Sequence, residues 1–519
     1  MSYTKSVLAL LCILILLGTL PVVSPVMVAS AQRFPLQQVE QDRIDAYIQS
    51  RMQIANIPGL ALGVVYGDEV VYLRGYGIAA PDGRAVTPQT PFILGSTSKS
   101  FTALAVMQLV EAGKIDLDAP VTTYLPWFRT NDAASSGQIT VRNLLNQNSG
   151  LPDYQGRRGI ADNDQSDVAL ENGIRDLSGV QLSQPVGQSY EYANDNYNLL
   201  GLIIQAVSGI SYEEYVRSAI YAPLEMSHSA AALSDPAAID IATGYRTWFF
   251  WPVEFDAPYP RRMTPSGFLM SSAEDMTHYL IAQLNGGTYG NNQLLSTQGI
   301  DTLHAPGARI SSLSSYGMGW IIQGQPGSTR IWHNGDVSNF HSNLLLLPDQ
   351  HIGIVVLVNI GSFLNAGMIN VPIEGVAEIL LGSNLTTSTN PPLNVIPQVI
   401  LLAALIIPAL WIAGSYFLVR HWQHRDELPP HGTRRFWRLY LPLGIDLLPV
   451  GIAWIILPAQ VHTPMETIAL FVPDAFTVIV TLTALSIGWA LARIFLTLHP
   501  RRLTQHPSNG VHTIVASPD

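Results

Sequence analysis

The chain has 519 residues, 48% of them hydrophobic and only 13% charged, with a formal net charge of -11. That length exceeds one ordinary domain, and the apolar excess points to a membrane part. The acidic balance disfavours a nucleic-acid partner, since binding phosphates needs gathered basic surface. The single cysteine, Cys12, excludes disulfides, thiolate metal sites and a cysteine nucleophile in the folded region.

Residues 1–31 read as a secretory signal peptide: Lys5 precedes an apolar run from Val7 to Leu17, and Ala29-Ser30-Ala31 offers a small-residue cleavage site. An uncleaved anchor is the alternative. Either way the following domain is exported.

Residues 32–385 have the composition of a mixed α/β domain, with amphipathic helical stretches, Gly- and Asn-rich loops and short β-branched runs. Within it Ser96 opens an apolar-periodic helix that continues to Gly113, a natural stop. Spacing of three puts Ser96 and Lys99 on one helical face, and the helix N-terminus favours the negative charge that develops during attack. A lysine beside a serine in a dry site loses its proton more easily and can serve as base. Ser2-Tyr3-Thr4-Lys5 matches the same Ser-x-x-Lys pattern but falls in the export signal. Lysine is scarce, with only Lys5, Lys99 and Lys114, so one kept on an apolar helix stands out against a snorkelling surface lysine.

Tyr192-Ala193-Asn194 comes just before an apolar helix expected over 199–207, its alternation placing both polar side chains on one side of a loop. A phenol whose pKa is lowered by nearby cations can relay protons between a serine and a leaving group, and an amide can orient a substrate carbonyl. A core tyrosine is the plainer reading of Tyr192 alone. The rival Tyr289-Gly290-Asn291 lies in a Gly-Asn turn and reads as structural. His333-Asn334-Gly335 precedes a strand over 343–347, the turn Pro348-Asp349-Gln350 and a strand over 352–358, which reads as a hairpin with the motif at an edge. Gly335 would let backbone approach a substrate closely, and the Asp336 amide would share an oxyanion with that of Ser96. His351-Ile352-Gly353 fits the same pattern but falls at the hairpin turn.

Residues 386–394 form a polar linker, and 395–498 hold three apolar segments, about 395–419, 439–457 and 475–498, each near the ~20 residues of a spanning helix. Arg420, Arg425, Arg434, Arg435 and Arg438 lie between the first two, none between the last two, and Arg501 and Arg502 lie in the 499–519 tail. Positive-inside puts the first loop and the C-terminus in the cytoplasm and the large domain outside, where the signal peptide also places it. Asp446, inside the second span, is either functional or paired with a neighbouring helix.

With the three motifs in order, the chain resembles the serine hydrolases that include class C β-lactamases, D-Ala-D-Ala carboxypeptidases and related esterases and D-aminopeptidases. Residues 144–152 (LLNQNSGLP), 223–226 (PLEM) and 316–320 (YGMGW) strengthen the likeness. It implies an α+β fold, an antiparallel sheet flanked by helices with an all-helical region beside it. It implies Ser96 as acylated nucleophile, Lys99 and Tyr192 sharing the base and acid work, and Asn194 on the substrate amide. His333 would stand at the sheet edge facing the substrate carboxylate, and Gly335 beside it. The family's usual histidine in the first stretch is Gln147 here, which puts that loop's contacts in question. Class C β-lactamases carry lysine where this chain has His333. An imidazole of ordinary pKa ~6.5 is mostly neutral at pH 7.5 and charges as pH falls, so peptidase or esterase activity is favoured over β-lactamase.

No metal or organic cofactor is called for. The expected activity is that of a membrane-anchored extracytoplasmic serine hydrolase acting through an acyl-enzyme on D-amino-acid peptides, esters or β-lactam-like amides. The alternative is a sensor that is acylated by penicillin or cell-wall peptide without turning it over. The short cytoplasmic loop and tail offer no signalling domain for it, and no protein partner is specified.

Overall fold

The computed structural model describes residues 36–249, 251–324, 328–362, 366–383, 396–425, 428, 430–461 and 463–499. The signal peptide, its Ser2–Lys5 motif, the 386–394 linker and nearly all of the tail therefore lie outside the described residues.

The chain divides into two compact units, one drawn from residues up to Gln398 together with His462–Phe476, the other from Val399–Val461 and the residues after Phe476. In the first, α1 (Gln38–Ala55) leads into β1 (Gly59–Tyr66) and β2 (Glu69–Gly77). A two-stranded excursion, β3 (Tyr245–Trp248) and β4 (Trp251–Glu254), comes much later in the chain. The remaining strands follow as β5 (Ala308–Arg309), β6 (Ser314–Tyr316), β7 (Ile321–Gln323), β8 (Arg330–Asp336), β9 (His341–Leu347), β10 (Ile352–Val358) and β11 (Ile360–Gly361). Eight of these form one antiparallel sheet in the order β2-β1-β10-β9-β8-β7-β6-β5, and β11-β3-β4 form a second. This is the α+β architecture the family resemblance implies.

The central strands are apolar on both faces because both are covered. Leu60, Leu62, Val64, Ile354, Val356 and Val358 pack with Ile44 and Ile48 of α1 and with Ile373 and Val376 of the C-terminal helix Ala366–Leu380. The opposite face, through Ala61, Val65, Val355 and Leu357, packs into the helical region. At the centre of that region lies α2 (Ser98–Glu111), buried at nearly every position from Ser98 to Leu109, as a helix apolar all round must be. It ends as expected, with Gly113 at φ 69.

β8 is an interior strand, so the expected edge position of the His333 motif is corrected. β7 pairs only with Arg330–Trp332, whereas β9 pairs with the whole of Ile331–Asp336. The half carrying His333, Asn334 and Gly335 outruns its short neighbour and is left open on the side of Ser96. The strand and turn expectations after it hold, β9 starting two residues earlier than expected. The Asn194–Ser208 helix also starts earlier than expected, so Asn194 is a helical residue and not part of a loop.

In the second unit, three helices long and apolar enough to cross a membrane run over Val399–His424, Thr433–Val461 and Pro473–Leu498. Asp446 is fully buried there, accepting from Arg493 Nε at 2.6 Å and from Trp411 Nε1 at 2.8 Å. This is the paired carboxyl of the plainer reading, and its partner is a cation in the third helix.

Candidate active site

Ser96 occupies the 3₁₀ turn Gly95–Thr97 that runs into α2. Gly95 has φ 58, and a Cβ there would lie 2.6 Å from the Asp336 backbone nitrogen. A Cβ on Gly335 would collide with the Leu94 carbonyl and lie 2.9 Å from the Ser96 nitrogen. β8 thus presses backbone to backbone on 94–96, which glycine at both positions permits. The Ser342 hydroxyl, on β9, donates to the Leu94 carbonyl at 2.5 Å and locks the contact. The amides of Ser96 and Asp336 are brought to one place by this packing.

Lys99, one turn on, has no exposure to solvent. Its Nζ lies 2.8 Å from Asn194 Oδ1, 2.6 Å from the Ser266 carbonyl oxygen and 3.1 Å from Ser96 Oγ. Burial holds its pKa well below the ordinary 10.5, opposed only in part by the charge of Asp153. A neutral amine has two N–H donors and one lone pair. Once Lys99 is neutral, the two carbonyl oxygens would take its donors and its lone pair would be left for the Ser96 hydroxyl.

Tyr192 stacks beside this cluster, its ring centroid 4.8 Å from Lys99 Nζ. The expectation that cations lower its pKa is corrected. Burial pushes the phenol well above its ordinary 10.0, Tyr316 adds to the rise, and a hydrogen bond with Ser96 opposes it. Tyr192 is therefore a neutral hydroxyl, able to donate or relay a proton but not to act as a standing phenolate.

His333 is 2% exposed, with Nδ1 2.6 Å from the Asn334 carbonyl oxygen and Nε2 3.2 Å from the Tyr316 hydroxyl. Nδ1–H donates to the carbonyl, so Nε2 is the acceptor for the phenol. Burial, then the charge of Lys99, lower its pKa to about 4. The expectation of an imidazole that charges just below neutrality is corrected by this: the ring lies inside, against tyrosines, and the Asn334 carbonyl and the charge of Asp336 offset the lowering only in part.

Three contributors escaped the sequence reading. Ser266 acts through its carbonyl, which no side-chain pattern announces. Tyr316 was part of the YGMGW stretch but was assigned no role. Gln147 Oε1 accepts from the Ala193 amide at 2.9 Å and from Asn196 Nδ2 at 2.5 Å, so this residue steadies the Tyr192–Asn194 segment from the position where the family usually has histidine. Of the rival motifs, Tyr289 and Asn291 sit at the Thr288–Gln293 hairpin and His351 at the exposed turn before β10, both away from Ser96 in the fold.

Comparison with known proteins bears on the family and the fold. A family model described as Beta-lactamase matches residues 44–367. The chain is 32% identical to Protein flp of Staphylococcus aureus (strain MRSA252) over 326 residues, 62% of this chain and 63% of that protein. It is 26% identical to the unguisins hydrolase ungD' of Aspergillus campestris over 318 residues, 59% of each chain. The chain thus spans less than two thirds of the length of these relatives. Among solved structures, the octameric penicillin-binding protein homologue from Pyrococcus abyssi is similar with a TM-score of 0.55 and 27% identity, covering 67% of this chain and 78% of that one.

Proposed function

Because the chain belongs to the β-lactamase family of serine hydrolases, we propose that it is a membrane-anchored hydrolase that forms and breaks an acyl-enzyme on Ser96. Its substrates are amides or esters, and D-amino-acid peptides or small esters are favoured over β-lactams. The observation that carries the reading is the environment of Lys99: an amine buried without a paired carboxylate, its Nζ within hydrogen-bonding distance of two carbonyl oxygens and 3.1 Å from Ser96 Oγ.

In the proposed reaction Lys99 takes the Ser96 proton as Oγ attacks the scissile carbonyl. The developing oxyanion is held by the Ser96 and Asp336 amides, which point donors at charge as it forms. Tyr192 passes its proton to the leaving nitrogen or oxygen and is reprotonated from Lys99. Water then enters by the same route in reverse and releases the acid. Asn194 keeps its Oδ1 on Lys99 and offers its Nδ2 to the substrate amide, with His333 and Gly335 lining the strand side. A neutral His333 cannot hold a carboxylate as a lysine does, which supports the preference against β-lactams.

The arginine distribution supports a catalytic domain outside the cell and a C-terminus in the cytoplasm. The test is to follow the purified full chain with a panel of short-chain esters, D-amino-acid peptides and cephalosporins. Repeated turnover of an ester or peptide, lost in Ser96→Ala, is the expected result. Stoichiometric labelling with no product beyond one equivalent would replace the hydrolase by an acylated sensor.

A further inference from the structure

The β3–β4 hairpin has a tip unlike the rest of the catalytic unit. Trp248 is 45% exposed and Trp251 69%, Val253 is also exposed, and the sequence from 248 to 253 (WFFWPV) contains no charge. Exposed tryptophans on a soluble surface forgo burial for no local return, whereas at a bilayer surface the indole places its apolar body among acyl chains and its N–H among headgroups.

The base of this hairpin is fastened to a particular segment. Arg246 lies with its guanidinium carbon 3.8 Å over the ring of Phe255 and donates to the Ala469 carbonyl at 3.5 Å. Ala469 belongs to the short helix Met465–Phe471. The same segment is tied a second time, where Arg157 donates to Thr463 Oγ1 at 2.9 Å and its carbonyl accepts from Thr467 Oγ1 at 3.1 Å. Residues 463–472 are the whole of the described connection between the apolar helices that end at Val461 and begin at Pro473. A connection this short cannot leave the surface of the bilayer those helices cross, because ten residues are taken up by a helix and two turns.

We propose that the β3–β4 tip, through Trp248, Trp251 and Val253, inserts into the headgroup region of the outer leaflet, as a second membrane contact of the catalytic unit beside the spans. This rests on reading the three apolar helices as membrane spans. Arg246 ties the hairpin to the inter-span segment, and the aromatic tip fits a zwitterionic or anionic lipid surface through its indoles and not through charge. The second sheet also leans on the active-site strand's continuation, since a Cβ at Gly361 would meet Ser338 and Asn339 Nδ2 donates to the Phe255 carbonyl at 3.1 Å. Substrate would then be met close to the membrane surface.

The test uses the full chain in proteoliposomes, in a Cys12→Ser background, with one cysteine introduced as Trp251→Cys, Leu485→Cys or Asp68→Cys and labelled with a polarity-sensitive fluorophore. Leu485 is on the third apolar helix and Asp68 on the exposed β1–β2 turn. Hydrolysis of a soluble ester checks that each variant is folded. The label at 251 is expected to shift to the blue and to be quenched several-fold more than that at 68 by a lipid with a nitroxide high on its acyl chain. The label at 485 is expected to be quenched best by a nitroxide placed deep. If 485 is quenched but 251 behaves as 68 does, the hairpin proposal fails while the spans stand. If 485 is not quenched, the span reading fails and takes the hairpin with it. A label at 251 shielded from aqueous quenchers in detergent as well as in lipid would assign the tip to a protein contact and overturn the proposal.

Discussion

Among the described residues two cations are buried completely, and their surroundings differ in one respect. Arg493, in the apolar helices, faces the Asp446 carboxylate at 2.6 Å; Lys99, in the catalytic unit, faces only neutral oxygens within hydrogen-bonding distance. A guanidinium cannot shed its proton, so burying it requires a counter-ion. An amine can, and where no carboxylate is supplied it becomes a base. The same degree of burial thus yields a structural pair in one place and a reactive group in the other.

The comparison is broken most severely at the nucleophile. Ser96→Ala should lower kcat by about 10⁴-fold or more and abolish labelling by a fluorophosphonate, and labelling that persists at another serine would reassign the site. Lys99→Ala should slow acylation by roughly 10²–10⁴-fold, the usual yield of a positioned proton transfer. Lys99→Arg should restore none of it, since arginine keeps its proton. Lys99→Met sharpens the point through stability. The folded protein releases the Lys99 proton at lower pH than the unfolded chain, so unfolding takes up a proton between the two values and native stability rises with pH across that window. The variant's gain in Tm should therefore be largest at low pH and shrink toward the ordinary 10.5. A gain independent of pH would mean that the amine is charged in the native state.

On the other side of the comparison, Asp446→Ala strands Arg493 without its carboxylate. A loss of about 3–5 kcal/mol is expected, read as thermal stability of the full chain in detergent, with Asp446→Ala/Arg493→Met recovering most of it. Hydrolysis of a soluble ester should survive wherever the single variant stays folded. A smaller effect is expected of Tyr316→Phe, which removes one hydrogen bond to His333 worth about 0.5–1.5 kcal/mol, or up to about tenfold in kcat/KM. The smallest is a null result. The ratio of kcat/KM for a carboxylate-bearing substrate to that of its neutral amide should stay level from about pH 7.5 to about pH 5.5, because His333 titrates near 4. A ratio that climbs over that range would restore a charged imidazole.

What the sequence carried and what it hid follow from the kind of interaction involved. The Ser96–Lys99 pair was readable because helical spacing is local, and the antiparallel α+β frame because the motifs and strand runs come in a known order. The ordinary pKa assumed for His333 and the cation-lowered phenol considered for Tyr192 both differ from the structure for one physical reason. Both depend first on desolvation by burial under segments distant in the chain, and no local pattern reports that. The edge position of His333 failed because three more strands, β7, β6 and β5, continue the sheet beyond β8, a non-local pairing; only the shortness of β7 leaves the strand open at His333. Asp446 was noticed, but Arg493 was passed over although it lies in the same kind of apolar run. The role of Ser266 belongs to a backbone carbonyl and has no side-chain signature at all.

The burial of Lys99 also decides how the protein answers to chemistry aimed at amines. Among the described residues, an acylating reagent applied to the folded protein meets one exposed lysine side chain, Lys114. Lys99 would react only when α2 and its cover part. The slow second modification is accordingly a clock for how often the active site opens, readable by mass spectrometry with no substrate present.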